Sequence, residues 1–367
     1  MSKNKIGVGI IGVQPGRSFA AIAHIPALKA LPQYEIAAIS TTRRESAQAA
    51  AKEYGIPRFY DNHRDLVNDP GVDVVAVTVK VPHHLELVMA ALQAGKAVYC
   101  EWPLGNGLAE ARQMADLARS KKLHTAVGLQ ARAAPAINFV RDLVAQGYVG
   151  EVLSTTLIGT GMNWGPYVDA PNAYTFDARN GATMLSIPVG HTLDALCYAL
   201  GEVGEVSATC AQRRTTAIQV ETGATLPMTA KDQIAVSGLL QNGAVLSLHY
   251  RGGMSRGTGL LWEINGTEGD LQVTSIGGHA QLFDLAVRGG KGQEQATQPM
   301  EIPSKYHWAP PGATGFALNV AQAYMRFADD MRDGTHTCPT FDDAVTRHKV
   351  IDAIAASADS GRRVVIS

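Results

Sequence analysis

The sequence predicts an α/β domain with a doubly wound parallel sheet, followed by an α+β domain with an open, mainly antiparallel sheet. Three observations carry this. Short, continuously apolar runs alternate with amphipathic blocks over residues 6–129. That is the pattern of βαβ units whose strands are buried on both faces. Beyond residue 150 the apolar runs lengthen, alternate in polarity and are punctuated by NG, GTEGD and RGG turns, which reads as hairpins. A glycine-containing turn also joins the first apolar run to the first helical block.

In order, the first five strands are expected at IGVGIIGV (6–13), YEIAAIS (34–40), DVVAVTV (73–79), AVYCEW (97–102) and HTAVGL (124–129). The intervening helices are SFAAIAHIPALKAL, RRESAQAAAKEYG, HHLELVMAALQAG and LAEARQMADLARSKK. Gly55, Gly95 and Gly147 stand where helix C-caps need a left-handed residue. The second region has strand-like segments from EVLSTTLIG to HAQLFDLAVRGG, with hairpins over 231–287. It also has helices at 184–201, 315–334 and 340–361, and a loop at 289–299. The domain boundaries are set at 1–128 and 129–367, with the C-terminal helix able to pack back on the first domain.

Composition narrows the function classes. At 367 residues the chain suits about two domains. A formal net charge of −1 gives no basic surface for nucleic acid or anionic membrane. The four cysteines (Cys100, Cys197, Cys210, Cys338) form no CxxC pair, so neither a disulfide framework nor a zinc site is expected. The run at 6–13 is too short for a signal-peptide core, and no run approaches a membrane span. The expected location is cytoplasmic.

Strand, glycine turn and helix are the context of a dinucleotide site, where backbone N–H groups and the helix N-terminus hold a pyrophosphate. The turn residues Gly12, Gln14, Gly16, Arg17, Ser18 and Phe19 are the candidates, although the segment departs from GxGxxG and is lengthened. The second strand ends in Ser40, Thr41, Thr42 and Arg43, with no acid before Glu45. A terminal Asp or Glu would bind a ribose 2′-hydroxyl, whereas hydroxyls and guanidinium suit a 2′-phosphate. NADP is favoured, with NAD the alternative. The alternative for Arg43 and Arg44 is a solvated helix start, where cations are mildly unfavourable against the helix dipole, which tips the reading toward function.

The segment VPHHLELVMAALQAGKAVYCEWPLG, with GLQARAAP (128–135), GYVGEV (147–152), GHTLD (190–194) and GTEGDL (266–271), resembles the glucose–fructose oxidoreductase/inositol dehydrogenase/MocA family over almost the whole chain. Within it, the lengthened turn and the Glu-Trp-Pro sequence are similar to a branch of NADP-binding regulators of galactose metabolism. The resemblance implies a Rossmann domain, a redox reaction on a sugar, polyol or related hydroxy compound, and a homodimer formed through the second sheet. It adds Val81, His84, Glu101, Trp102, Pro103 and Gln130 to the cofactor set, Arg132 to the substrate set, and His191 as a catalytic and substrate-binding histidine. It also implies a lysine where Trp102 stands, and an acid four residues before the histidine, where Ile187 stands. The regulator branch implies a second possibility, a non-catalytic sensor with a regulatory protein partner.

Other residues could replace the missing groups. Lys80 follows a strand, where the C-terminal edge faces a cofactor, and is either a proton-exchanging group or an ion-pair partner. Asp194 lies three residues after His191 on one helical face and would orient its ring, or else form a structural polar pair. The segment 160–182 brings Asn163, Trp164 and Tyr174 into one loop, either a carbohydrate-binding lip or a loop packed by its own aromatics. In AVLSLHYRGG both alternating phases are read as carrying apolar residues, which would leave a second apolar sheet face for dimerisation.

Overall fold

The computed structural model describes residues 5–366. Its first sheet has six parallel strands: β1 (Ile6–Ile11), β2 (Tyr34–Ser40), β3 (Phe59–Tyr60), β4 (Val74–Val77), β5 (Ala97–Cys100) and β6 (Thr125–Val127). Their spatial order is β3-β2-β1-β4-β5-β6. Val8, Ile10, Val74, Val75, Ala76 and Val77 are wholly buried, which is why these strands read as unbroken apolar runs. Helices α1 (Ile25–Ala30), α2 (Arg44–Tyr54), α3 (His63–Asn68), α4 (His84–Gln93) and α5 (Leu108–Lys121) connect them. Strand β3 and helix α3 lie outside the sequence-based assignment. Asn62, whose side chain accepts from Asp65 N at 2.9 Å, was the available signal for α3.

The chain separates into two compact units. The first comprises the residues up to Gln130 together with Trp308–Thr346, so it includes a segment that a linear boundary at 128/129 leaves in the second domain. That segment contains α8 (Phe316–Asp333), which buries Val320, Tyr324 and Phe327.

The second unit comprises Ala131–His307 and residues from Arg347 onward. Two helices, α6 (Pro135–Ala145) and α7 (Gly190–Leu200), share its core with a nine-stranded mixed sheet. A small sheet of β8 (Tyr167–Val168), β10 (Thr216–Gln219) and β11 (Thr225–Pro227) stands apart. The large sheet uses β7 (Val152–Thr160), β9 (Val203–Ala211), β12 (Gln233–Leu240), β13 (Val245–Arg251), β14 (Leu260–Gly266), β15 (Gly269–Ser275), β16 (Ala286–Lys291), β17 (Gln298–Met300) and β18 (Val364–Val365). Within it β7 and β13 pair in parallel, and the other described pairings are antiparallel. Helix α9 (Phe341–Ser360) carries the chain from the first unit into the second.

The hairpins expected over 231–287 are present, while the loop expected at 289–299 is partly strand. The inner sheet face is apolar: Leu246, Leu248, Tyr250, Ile234, Val236, Trp262 and Ile264 are buried. Each such side chain contributes about 1.5–3 kcal/mol. The outer face corrects the expectation of a second apolar surface. Val245, Ser247, His249 and Arg251 alternate outward beside Ser237, Ala235 and Thr156, so apolar groups are interspersed with hydroxyls. Among the described residues no helix is long and apolar enough to cross a membrane, and no cluster of His, Cys, Asp or Glu is arranged to hold a metal ion.

Candidate functional site

In the first unit the glycine turn begins where the strand order reverses, between β1 and β4. Gly12 has φ +102°, and a Cβ there would lie 2.5 Å from Val79 Cγ1 and 3.2 Å from Thr78 O. Only glycine fits this close approach, at the crevice where doubly wound sheets bind nucleotides. The turn is braced internally: Gln14 N donates to Ser18 Oγ at 2.9 Å, Ser18 N to Gln14 O, and Gly16 N to Tyr54 Oη at 3.3 Å. Gly16 is also left-handed, with open space around it. Arg17 is exposed, and Phe19 begins the helical turn that follows.

At the end of β2, Ser40 is buried and its carbonyl accepts from Gly12 N at 3.0 Å. Thr41 Oγ1 serves the α2 start, contacting Arg43 O and Ser46 Oγ. Thr42 and Arg43 are exposed. Arg44 instead lies over the Phe59 ring, 5.6 Å from its centroid.

At the end of β4, Lys80 is exposed and begins a 3-10 turn that contains the buried Val81. His84 is not available for a ribose. Its ring is buried, with Nδ1 2.8 Å from Pro103 O and Nε2 3.0 Å from Val79 O. Burial lowers its pKa, against the two carbonyls, and a neutral ring has one proton for both. His84 is therefore packed between the loops after β4 and β5 and donates to one of the two carbonyls.

After β5, Glu101 accepts from Gln130 Nε2 at 2.8 and 2.9 Å and meets His24 Nε2 at 2.8 Å. Trp102 is 5% exposed, so the residue in the family lysine's place is packed, and Pro103 beside it is buried as well.

In the second unit His191 is 4% exposed and lies at the start of α7. It makes no hydrogen bond among the described residues, and its Nδ1 is buried and unpaired. Burial, and secondarily His279, lower its pKa to about 3. His279, lowered to about 4 by burial, accepts from Met162 N at 3.2 Å. Among the described residues nothing acidic supports either ring.

Asp194 does not orient His191. Its carboxylate receives Arg132 Nε and Nη2 at 2.8 and 2.7 Å, and Arg347 Nε at 3.3 Å. Burial alone would raise this carboxyl, but the two guanidiniums overcome it and hold it low. Arg347, fully buried, also contacts Glu202 and Cys197 Sγ. Arg132 is consequently a structural ion-pair partner in this arrangement, lying also over Tyr198, with 12% of its side chain exposed.

The aromatic loop divides. Trp164 is fully buried with its indole N–H on Thr175 O, so the self-packed reading holds for it. Asn163 and Tyr174 are half-buried. The sequence reading missed His24, Tyr324, Arg347 and His279. His24 lies in the quoted HIPAL helix, while the others carry no local signal, since their partners lie far away in the chain.

Two family profiles match: "Oxidoreductase family, NAD-binding Rossmann fold" over residues 6–129, and "Gal80p, C-terminal domain" over 135–275. The dehydrogenase aclE of Aspergillus oryzae is 30% identical, over 99% of this chain and 98% of its own. The levoglucosan dehydrogenase of Pseudarthrobacter phenanthrenivorans is 27% identical over 72% of this chain and 71% of its own. A super-repressor mutant of Gal80p from Saccharomyces cerevisiae superposes with a TM-score of 0.87, covering 98% of both chains at 22% identity, which establishes the shared fold.

Proposed function

Because the chain belongs to the GFO/IDH/MocA oxidoreductase family, with its NAD-binding Rossmann fold, we propose that it is an NAD(P)-dependent dehydrogenase or reductase of a sugar, polyol or related hydroxy compound. The observation that carries this reading is Gly12 at the strand-order reversal, where only glycine fits the close approach of the turn to Val79 and Thr78, at the crevice in which doubly wound sheets bind nucleotides. The full-length likeness to a dehydrogenase and the likeness to a levoglucosan dehydrogenase support the reaction class and a sugar-like substrate.

Gly12, Gln14, Gly16 and the helix start from Ser18 hold the pyrophosphate. Thr42 and Arg43 meet a 2′-phosphate, which favours NADP. Arg43→Ala is expected to weaken NADPH binding about 10- to 100-fold, as loss of a charge-assisted hydrogen bond does, and to leave NADH binding within about twofold. Equal losses for both cofactors would remove the NADP assignment.

A bound nicotinamide supplies hydride transfer to or from carbon. His191 has too little basicity to take an alcohol proton at neutral pH. A neutral ring suits a hydrogen bond donated to a substrate oxygen. Lys80 is the proposed proton-exchanging group; Asp194, committed to two arginines, has no such role. Asn163 and Tyr174 remain the substrate-contact candidates of the loop. A homodimer through the nine-stranded sheet, proposed on the family resemblance and not on an apolar outer face, completes the proposal.

Trp102 and Ile187 favour a second reading, a cofactor-binding sensor that regulates a protein partner, and the Gal80p C-terminal match supports it. One experiment separates them: fluorescence titration with NADPH and NADH, then nicotinamide absorbance with sugars, polyols and their keto forms. Turnover lost in His191→Ala establishes the enzyme. Tight binding without turnover favours the sensor. Absence of binding overturns both.

A further inference from the structure

Three aromatic rings close edge-on around one imidazole in the first unit. His24 is completely buried, with Phe19, Tyr99 and Tyr324 at centroid distances of 5.6, 5.4 and 5.7 Å. It ends the π-helical turn Ala20–His24 that directly follows the glycine turn. Both ring nitrogens are engaged: Nδ1 lies 2.9 Å from the Tyr324 hydroxyl and Nε2 lies 2.8 Å from Glu101 Oε1. A hydroxyl that donates to Nδ1 leaves the imidazole proton on Nε2, pointing at the carboxylate. Tyr324 is itself fixed, stacked on Tyr99 at 4.7 Å and accepting at its carbonyl from the Tyr34 hydroxyl at 2.8 Å.

Glu101 is confined from the other side. A Cβ on Gly128 would stand 2.7 Å from Glu101 Oε2 and 2.9 Å from Gln130 Nε2, so this glycine makes room for the carboxylate and its donor. Inward hydrogen bonds from His24 and Gln130 leave lone pairs over, and 13% of the side chain stays exposed at the C-terminal edge of β5.

We propose that His24 is a positioning residue: with its tautomer set by Tyr324, it holds Glu101 as an oriented carboxylate whose open edge accepts hydrogen bonds from the hydroxyls of a bound dinucleotide. This rests on the dinucleotide reading above. The device places the glycine turn and Glu101 on one rigid connection, so the two cofactor contacts are set together.

The titratable groups around Glu101 are His24, His84, Tyr99, Cys100 and Tyr324. Burial, with the Glu101 charge as a further cause, raises both tyrosines and the cysteine, so they stay neutral, and burial keeps His84 neutral. His24 is thus the neighbour whose N–H direction decides how the Glu101 carboxylate is oriented.

The test follows the Glu101 carboxyl by carbon-13 NMR in ligand-free protein, assigned through Glu101→Gln, alongside NADPH titration. His24→Asn keeps a polar group near Tyr324 but withdraws the donor from Glu101. It is expected to move the Glu101 carboxyl resonance and to weaken NADPH about tenfold, the scale of one lost charge-assisted bond. His24→Gln can present an N–H near the Nε2 position and is expected to recover most of both effects. Tyr324→Phe, which removes a single oxygen, is expected to give smaller changes in the carboxyl resonance and in NADPH affinity, and keeps the test alive should His24→Asn fail to fold. A carboxyl resonance and an NADPH affinity unchanged from wild type in His24→Asn and Tyr324→Phe overturn the proposal, as do equal losses of affinity in the Asn and Gln variants. Wild-type protein that binds neither NADPH nor NADH overturns the dinucleotide reading and the ligand role of Glu101 together, while the carboxyl resonance still decides whether His24 orients it.

Discussion

Two histidines are delivered by the same local device and end in opposite conditions. His24 closes the π-helical turn ahead of α1, and His191 follows the π-helical turn Leu185–Val189 that leads into α7. Single π turns within helices often mark functional positions. Both rings are buried. His24 has a hydroxyl on one nitrogen and a carboxylate on the other, whereas His191 has no hydrogen bond among the described residues, and its titratable influence is another histidine. The difference shows that a buried imidazole is made useful by what surrounds it. A carboxylate at His24 sustains a polar relay, and its absence at His191 leaves a ring that resists protonation.

The carboxylate that sequence spacing offered to His191, Asp194, gives the most forceful test of this contrast. Asp194→Ala would leave Arg347 buried without that partner and is expected to cost about 3–5 kcal/mol in urea unfolding. A loss below about 1 kcal/mol, with a rise or fall in His191 titration, would return Asp194 to the role of orienting group.

Acid comes second. Folded-state pKa values of about 3 for His191 and about 4 for His279 lie below the ordinary value of 6.5. The folded rings stay neutral while the unfolded chain takes up protons, so this contribution is intact above about pH 6.5 and is lost as pH falls toward 4. Each ring should add about 1.4 kcal/mol per pH unit to the slope in that window. His348, lowered to about 4 by burial, acts with the same sign. Urea unfolding at several pH values should show a shallower slope in His191→Gln; an unchanged slope would mean that His191 is already protonated in the folded protein.

The smallest expected effect comes from giving His191 what His24 has. Ile187→Asp places a carboxyl four residues before it and should raise the ring's titration by about 1–3 units if the two groups come within about 4–6 Å. The cost should be about 1–2 kcal/mol of stability, because the replaced side chain is half-buried. Histidine NMR titration would measure the shift, and increased turnover would place the lost acid at the centre of the enzyme reading. A static titration would show that position 187 does not face the ring.

Much of the architecture was legible because it is written in local periods. Continuous apolar runs marked the parallel strands, alternation marked the hairpins, and glycines marked the turns. The first glycine of the turn was legible too, since the positive φ and the close approach to Thr78 are demands on one residue. The short elements β3 and α3 escaped because two strand residues and six helical ones give periodicity little to act on. Spacing suggested Asp194 for His191 because i and i+3 share a face, yet that rule counts only one helix. Arg132 and Arg347 enter from elsewhere in the chain and claim the carboxylate.

Residue order alone accounts for the two kinds of sheet, the glycine turn, the lack of an acid between β2 and Glu45, and the residues Trp102 and Ile187. Each depends on residue identity, or on neighbours within a few positions. Which polar groups are satisfied was left to packing in three dimensions. Packing gave Asp194 to the arginines, buried Trp164, fixed His84 between two carbonyls, and set Tyr324 against His24 across 300 residues of chain. Hydrogen bonds and ion pairs are decided by distance in space, and a buried carboxylate is held by whichever donors packing brings within reach.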